Sequence, residues 1–532
     1  MEICDQFLKD IMDVNPTLND FFSKEEYKKK RHIQPNIYSE DYYKKMNDID
    51  HKYLKILEKK KDKNVYDELL LRDIKSSIHF EENYEIYSYL PIDTDNILID
   101  YVSGSNGNGF FKFNEKKDYD DFIGRLKTIP KITDEIISKM RDGMKHKVTL
   151  YSKTVDQMMD IIQRILKNKQ YLNKKKSKHQ KRLNEMIEKY LGENLKKLFN
   201  FLVNEYYEHT SSNFGLHSFK EGKKYYRRLV KDVLFDGLTP ENIHNQGLKE
   251  LKLLLKEKKK LERKMKLKDI DDYFKNNPDF YYKNKKDVID DLKKIRERLY
   301  HEIYPKVFHG NFKKSDMYDI KSVPIEDKNY TAYYRRPPLD KSSKGTFYIN
   351  TNKPENINKH ELYVLSLHEG IPGHHYELTY HMDKNKPDKN KPDYFKLVGY
   401  DSYSEGWGLY SENLGNYQND HEYYFKLQYD IHRTIRLIID TGIHYFGWEY
   451  DKCFEFMRKH LSFSDDYIKK EILRYINTPC QALTYKIGEK VILYLRKTSM
   501  MDGYNLKDFH KKVMELGPCP LDILMEQFNV SI

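Results

Sequence analysis

"SLHEGIPGHHYE", residues 366–377, sets three histidines and two glutamates around a Pro-Gly step inside a helical pattern. The usual helical zinc motif puts its second histidine four residues after the first. Here that position is Pro372, and the next histidine is His374. On an α-helix, positions i and i+6 lie about 120° apart around the axis and about 9 Å along it, too far to share one ion. The two imidazoles can meet only if the helix is disturbed between them. Pro372 lacks the N–H that would bond the carbonyl of His368, and Gly370 and Gly373 flank it. These residues predict a kink or widened turn over 370–373 that swings His374 back beside His368. His375 is the fallback second ligand. The alternative is a Pro-kinked helix that carries surface histidines and binds no metal.

His-Glu alone carries little, since it occurs at 301, 360, 368 and 421; only the copy at 368 is followed by further histidines. Thirty-one residues after His374, "DSYSEGWGLYSENLG" reads as a second helix with Glu405 and Glu412. Two-His-one-Glu zinc sites take their third ligand from a following helix, which makes Glu405 the candidate. Glu405 could equally be an acidic residue favoured by a helix N-terminus. Gly406 and Gly408 are costly in a plain helix unless something packs closely there. In "YDIHRTIRLIIDTGIHYFGW" (429–448), Ile431, Ile435, Ile438 and Ile439 form one face, while Arg433, Arg436, Asp440 and His444 share another. The polar row is either solvated or lines a cleft, with Asp440 orienting a neighbour and His444 donating to a developing oxyanion. "RYINTPCQALTYKIGEK" (474–490) adds Arg474, Tyr475, Gln481 and Tyr485 around a Pro break.

The chain around this segment is helical in pattern. "TVDQMMDIIQRILK" repeats apolar residues at 155, 158, 159, 162, 165 and 166. "LTPENIHNQGLKELK" opens a helix with Thr239 as N-cap and Pro240 at its first position, and "KDVIDDLKKIRERLYHEIYPKV" reads as helix until Pro305. Strand-like sequence clusters at 330–350, in "YTAYYRRPP" and "GTFYINT". "SGSNGNGFF" (103–111) lacks the GK[ST] of a phosphate loop and reads as a surface loop.

At 532 residues, with 39% apolar and 33% charged, the chain is expected to fold as one large domain or two subdomains of a globular protein. Apolar runs are too short for a membrane span, and the N-terminus "MEICDQFLKDIMDVNP" is acidic where a signal peptide is basic, so a cytoplasmic location is expected. Cys4, Cys453, Cys480 and Cys519 are scattered, as reduced packed thiols are. The net charge of +12 gathers in "NKKKSKHQKR" (173–182) and "KEKKKLERKMKLK" (256–268). Such runs can be anion or nucleic-acid patches, but Leu and Met at helical spacing in the second favour a solvated helix face. No nucleic-acid motif accompanies either, so neither nucleic acid nor membrane is an expected partner.

With these residues assembled, the sequence resembles the family of domain of unknown function 885, large helical proteins regarded as relatives of zinc metallopeptidases. The likeness rests on His368-Glu369-Gly370-Ile371-Pro372-Gly373-His374, on Glu405-Gly406-Trp407-Gly408-Leu409-Tyr410-Ser411-Glu412, and on "RLIIDTGIH" with Trp448. It continues through "RYINTPCQALTYKIG" and "FHKKVMELGPCPLDIL", with weaker echoes in "GLTPENIHNQG" and "YYRRPPLDKSSKGTFYIN". Cys480 stands where the family usually has Gly.

The layout is similar to thimet oligopeptidase, neurolysin and angiotensin-converting enzyme, which are helical and two-lobed and follow the zinc helix with a glutamate ligand, then an oxyanion-binding His and Tyr. They keep the four-residue histidine spacing that this chain lacks. Dipeptidyl peptidase III lengthens that spacing by one residue and still binds zinc.

The resemblance implies a mainly α, two-lobed metallopeptidase-like fold with a small β-sheet beside the active-site helix. Its helical N-terminal lobe would span 1–310 and its catalytic lobe 311–532, or one family domain would span nearly the whole chain. It implies a zinc-dependent peptidase in which His368, His374 and Glu405 hold zinc and Glu369 is the general base. His444 and Tyr485 would stabilise the oxyanion. Asp440, His375 and Glu412 would support the ligands, and Arg433, Arg436 or Arg474 would hold a substrate carboxylate. The strand in "GTFYIN" is expected to pair with an extended peptide substrate. The alternatives are a metal-dependent hydrolase of another amide or ester, and a non-catalytic helical binding protein without metal.

Overall fold

In a computed structural model the chain is mainly helical with one small sheet. The structure describes residues 2–22, 24–82, 88–107, 111–310, 313, 317–323, 331–337, 343–380 and 391–530. Residues 108–110 of the Gly-rich segment, and 330 and 338–342 of the strand-rich one, lie outside the described residues. Among the described residues no helix is long and apolar enough to cross a membrane.

The chain forms two compact units, one of residues 1–214 with 391–397 and one of 215–390 with 398–532. The first includes helices α1 (Glu2–Val14), α2 (Glu40–Lys59), α3 (Val65–Glu82), α4 (Lys116–Leu126), α5 (Ile129–His146), α6 (Ser152–Lys167) and α7 (Glu193–Phe201). The stripe expected in α6 is its core face: Val155, Met158, Ile162 and Ile165 are buried. They pack with Ile132 and Ile136 of α5 and Leu195 and Leu198 of α7 in one apolar cluster. Burial of these aliphatic faces holds the helices together.

The second unit contains α8 (Pro240–Lys264), α9 (Lys285–Glu302), α10 (Glu361–Glu369), α11 (His374–Tyr380), α12 (Asp401–Glu412), α13 (Asp420–Thr441), α14 (Tyr450–His460), α15 (Asp465–Asn477) and α16 (Thr484–Met501). Thr239 caps α8 as its sequence predicts, accepting from the Asn242 N–H at 3.1 Å. The break between units falls at 214/215, whereas the sequence placed a lobe boundary at 310. The reason is packing: α8 lies along α13, and α9 packs on α10. Gly247 makes the first contact possible, because a Cβ there would meet Ile438 Cγ1 at 2.8 Å.

The sheet has β1 (Asp319–Ser322), β2 (Ala332–Arg335) and β3 (Thr346–Ile349) in the order β1-β3-β2. β3 pairs parallel with β1 and antiparallel with β2. The "GTFYIN" strand is therefore central, and the expectation that it pairs with a peptide is corrected. β1 and β2 occupy its two sides and are the edges among the described residues, and β2 packs on α10.

Candidate metal centre

The quoted stretch is two helices, not one. α10 stops at Glu369 and α11 begins at His374, with a turn over 370–373 that contains a cis Ile371–Pro372 bond. Gly373 lets the chain fold back over the end of α10: a Cβ there would lie 1.9 Å from the carbonyl oxygen of His368. Trp407, fully buried on α12, fastens the turn by donating from Nε1 to the carbonyl of Pro372 at 2.9 Å.

This turn brings His374 round to His368. Their ring centroids are 4.8 Å apart with planes at 88°. Glu405 of α12 completes a trio, with Oε2 3.4 Å from His368 Nε2 and 3.5 Å from His374 Nε2. One ligand atom from each of the three lies within 4.8 Å of the others. A charge-assisted N–H···O bond prefers about 2.7–2.9 Å. Ligands about 2.0–2.1 Å from a tetrahedral zinc stand about 3.3–3.4 Å from one another. The two spacings to Glu405 match the second figure, and with all three ligand atoms within 4.8 Å of one another the donor set fits a zinc ion.

The residues around the trio reinforce that fit. His368 Nδ1–H donates to Glu412 Oε1 at 2.9 Å, which makes Nε2 the ring nitrogen that faces Glu405. Arg433 Nη2 stands 3.7 Å from the same Glu412 oxygen and stabilises its charge. Gly408 gives the imidazole room, since a Cβ there would sit 2.8 Å from His368 Cε1. Gly406 serves the helix packing: its Cβ would lie 2.6 Å from the Cα of Gly488 on α16. Glu377, one turn after His374 and 1% exposed, places Oε2 4.0 Å from His374 Nδ1 and accepts from Ser404 Oγ at 3.2 Å.

The electrostatics call for a cation. Burial opposes a charge on His374, yet the bond to Glu405 and the charges of Glu405, Glu369 and Glu377 push it up to about 9. His368 is likewise raised, because Glu405 and Glu412 outweigh its burial. Burial pushes the Glu405 carboxyl up, but the two imidazoles hold it well below the usual carboxylate range. Glu369 is 8% exposed, and the described residues give its carboxylate no hydrogen bond or ion pair.

The other expected site residues separate. Tyr485 of α16 stacks parallel to His368, with centroids 6.4 Å apart and planes at 16°. Its oxygen accepts from Arg474 Nη2 at 3.1 Å, and the Arg436 guanidinium lies 4.5 Å over its ring. Arg436 is buried and committed to Glu471 at 2.9 Å and to Tyr475 at 3.2 Å, and Arg433 to Glu412. Of the three arginines Arg474 has the most exposed side chain, 36%, and it too is engaged, with Glu471 at 3.4 Å and Gln481 at 2.8 Å.

His375 lies outside the trio. Its Nδ1 meets the Tyr334 hydroxyl at 2.8 Å and its ring packs on Tyr318, tying α11 to the sheet, while burial pulls it down to about 3.

His444 and Asp440 do not reach the trio. His444 is fully buried, donating from Nε2 to Tyr475 O at 2.8 Å and accepting the Leu216 N–H on Nδ1 at 3.1 Å. Asp440 accepts from the Tyr226 hydroxyl and from the Cys480 N–H. The helical face read from the sequence is longer than the site. Asp440 lies one turn beyond Arg436, and His444 falls in a widened π turn after α13 ends.

Trp407, Glu377 and Tyr334 carried no role in the sequence. The i, i+3 step from His374 to Glu377 could have signalled one of them.

Residues 18–528 match the family described as "Bacterial protein of unknown function (DUF885)". The chain belongs to the DUF885 family. No curated protein matches it. Among solved structures, the fold is similar to a "putative lipoprotein" from Colwellia psychrerythraea, with a TM-score of 0.86, 20% identity, and coverage of 99% of this chain and 98% of that one. It is also similar to a "putative lipoprotein of unknown function" from Shewanella oneidensis, with a TM-score of 0.74, 16% identity and 98% of each chain covered. At these identities the likeness shows that this DUF885 chain shares their fold.

Proposed function

We propose that this DUF885 protein is a zinc-dependent peptidase. The observation that carries the reading is the convergence of His368, His374 and Glu405 at ligand-to-ligand spacing, with Glu412 fixing the tautomer of His368. When bound, a zinc ion there supplies Lewis acidity, acidifying a water and polarising a carbonyl.

The chain's own residues supply the rest. Glu369, next to His368 and with its carboxylate uncommitted, takes the proton of the attacking water and passes it to the departing amine nitrogen. Because Arg474 donates to the Tyr485 oxygen, the Tyr485 hydroxyl proton is free to donate to the carbonyl oxygen as negative charge develops on it. Arg474, with the most exposed side chain of the three arginines, is the candidate to meet a substrate carboxylate. Peptide is favoured over another amide or ester because β2, an edge strand among the described residues, packs on α10, the helix that ends at Glu369, and can pair with an extended chain.

The test is cleavage of a quenched fluorescent peptide library by the zinc-loaded protein and by Glu369→Gln. The variant is expected to keep its zinc and lose activity by at least about a hundredfold. A Glu369→Gln protein that binds zinc and cuts at the parent rate contradicts the base assignment. A parent that cuts esters or non-peptide amides but no peptide contradicts the substrate class.

A further inference from the structure

The basic run at 256–268 has no part in the metal centre, and α8 presents most of it to solvent. Lys252, Lys256, Lys259 and Arg263 follow one another at steps of four, three and four residues, and all are exposed. That spacing is a single helical stripe, about 16 Å long. Three other cations of this helix are engaged: Lys258 with Asp271, Lys260 with Glu257 and Lys264 with Asp420. Among the described residues the four stripe cations form no ion pair. Like charges one turn apart destabilise a helix, so the stripe favours a partner that neutralises it.

The stripe is one wall of a groove between α8 and α14, about 630 Å³ in volume. Leu251, Leu255 and Phe456 line its floor, and among the described residues no carboxylate lines it. Leu248, 41% exposed, stands at one end. An apolar floor beneath a charged rim marks a docking surface.

The geometry narrows the occupant. Cations strung over about 16 Å match a ligand with several negative charges, not one head group. A single-stranded nucleic acid would want a row of aromatic platforms along the groove, whereas its two aromatic rings, Phe456 and His460, pack on each other at 4.9 Å and the rest of its apolar lining is leucine. A membrane-binding face projects its apolar side chains outward, whereas here Leu251 is buried and Leu255 and Phe456 are half-buried. A helix with acidic residues flanking apolar anchors at i, i+3, i+4 and i+7 meets both the rim and the floor. We propose that the α8–α14 groove docks an acidic amphipathic helix of a partner protein. This does not depend on the peptidase reading.

The experiment is fluorescence anisotropy with the full-length protein and a labelled 16-residue peptide that carries Leu at those anchor positions and Glu elsewhere. Binding in the micromolar range is expected, weakened at least about tenfold in Lys256→Glu/Lys259→Glu and by a comparable factor when the peptide's Leu residues become Ser. Both lysines are exposed and unpaired, so the variant should keep the parent's circular dichroism and melting temperature. Lys252→Gln/Lys256→Gln, a milder change, is expected to weaken binding several-fold. The proposal is overturned if the peptide fails to bind at 100 micromolar, or if neither variant weakens it. It is also overturned if a 16-nucleotide single strand or phosphatidylserine vesicles bind more tightly than the peptide and lose that binding in Lys256→Glu/Lys259→Glu.

Discussion

Gly408→Ala separates the metal centre from the fold around it. The added Cβ would stand 2.8 Å from His368 Cε1, 2.9 Å from Nε2 and 3.1 Å from Nδ1. Carbon atoms in contact sit about 3.5–4.0 Å apart, so the ring must retreat by about 0.6 Å or more. Metal–ligand distances tolerate about 0.2 Å. The retreat would also stretch the 2.9 Å bond from His368 Nδ1 to Glu412. Loss of such support typically costs about 10–100-fold in metal affinity, or about 1.4–2.7 kcal/mol. On the fold side, Ala is better than Gly in a helix by about 1 kcal/mol, which offsets part of an overpacking cost of about 1–3 kcal/mol. Metal-free stability should therefore fall by no more than about 2 kcal/mol.

Gly406→Ala is the counterpart, because its Cβ meets the backbone of Gly488 at 2.6 Å and the helices must part. Zinc titration against a competing chromophoric chelator reads the first effect, and urea denaturation of the metal-free proteins reads the second. The reasoning is refuted if Gly408→Ala binds zinc like the parent, or if it loses as much metal-free stability as Gly406→Ala.

Glu412→Gln keeps an acceptor for His368 Nδ1–H but removes its charge, and should weaken zinc binding about tenfold, with Glu412→Ala nearer a hundredfold; equal affinities in the chelator titration would deny Glu412 its orienting role. Trp407→Phe leaves the buried Pro372 carbonyl without its donor, costing about 1–3 kcal/mol in urea denaturation and loosening His374, so zinc affinity should fall with it. Burial pushes the Asp440 carboxyl up from 3.8 to about 7. Between those values the unfolded chain gives up this proton while the folded one keeps it. Stability present at low pH is therefore lost as pH rises from about 4 through 7, on the order of 4 kcal/mol in all. Asp440→Asn retains an acceptor for Tyr226 and Cys480, so its denaturation curves should lose less stability than the parent's over that range. Parallel parent and variant profiles would show that Asp440 does not titrate there.

What the sequence made legible was local. Pro372 and the glycines beside it dictate a break wherever they occur, so the approach of His374 to His368 could be worked out from helix geometry. Gly406 and Gly408 announced close contacts, though not that one faces a helix and the other an imidazole. Long-range placement was hidden. The face bearing Arg433, Arg436, Asp440 and His444 is real on α13, but a helical face runs past a site only a turn or two long. β1 at Asp319–Ser322 gave no strong strand pattern, and without it β3 looked like an edge. The packing of α8 on α13 at Gly247 was hidden for a similar reason, since it joins residues far apart in the chain.

Zinc uptake by the purified metal-free chain tests the central claim most directly, read by titration calorimetry and by metal analysis after gel filtration. One zinc per chain is expected for the parent, lost in His374→Ala and in Glu405→Ala. A parent that takes up no zinc, or a His374→Ala variant that takes up as much and as tightly, would contradict the account.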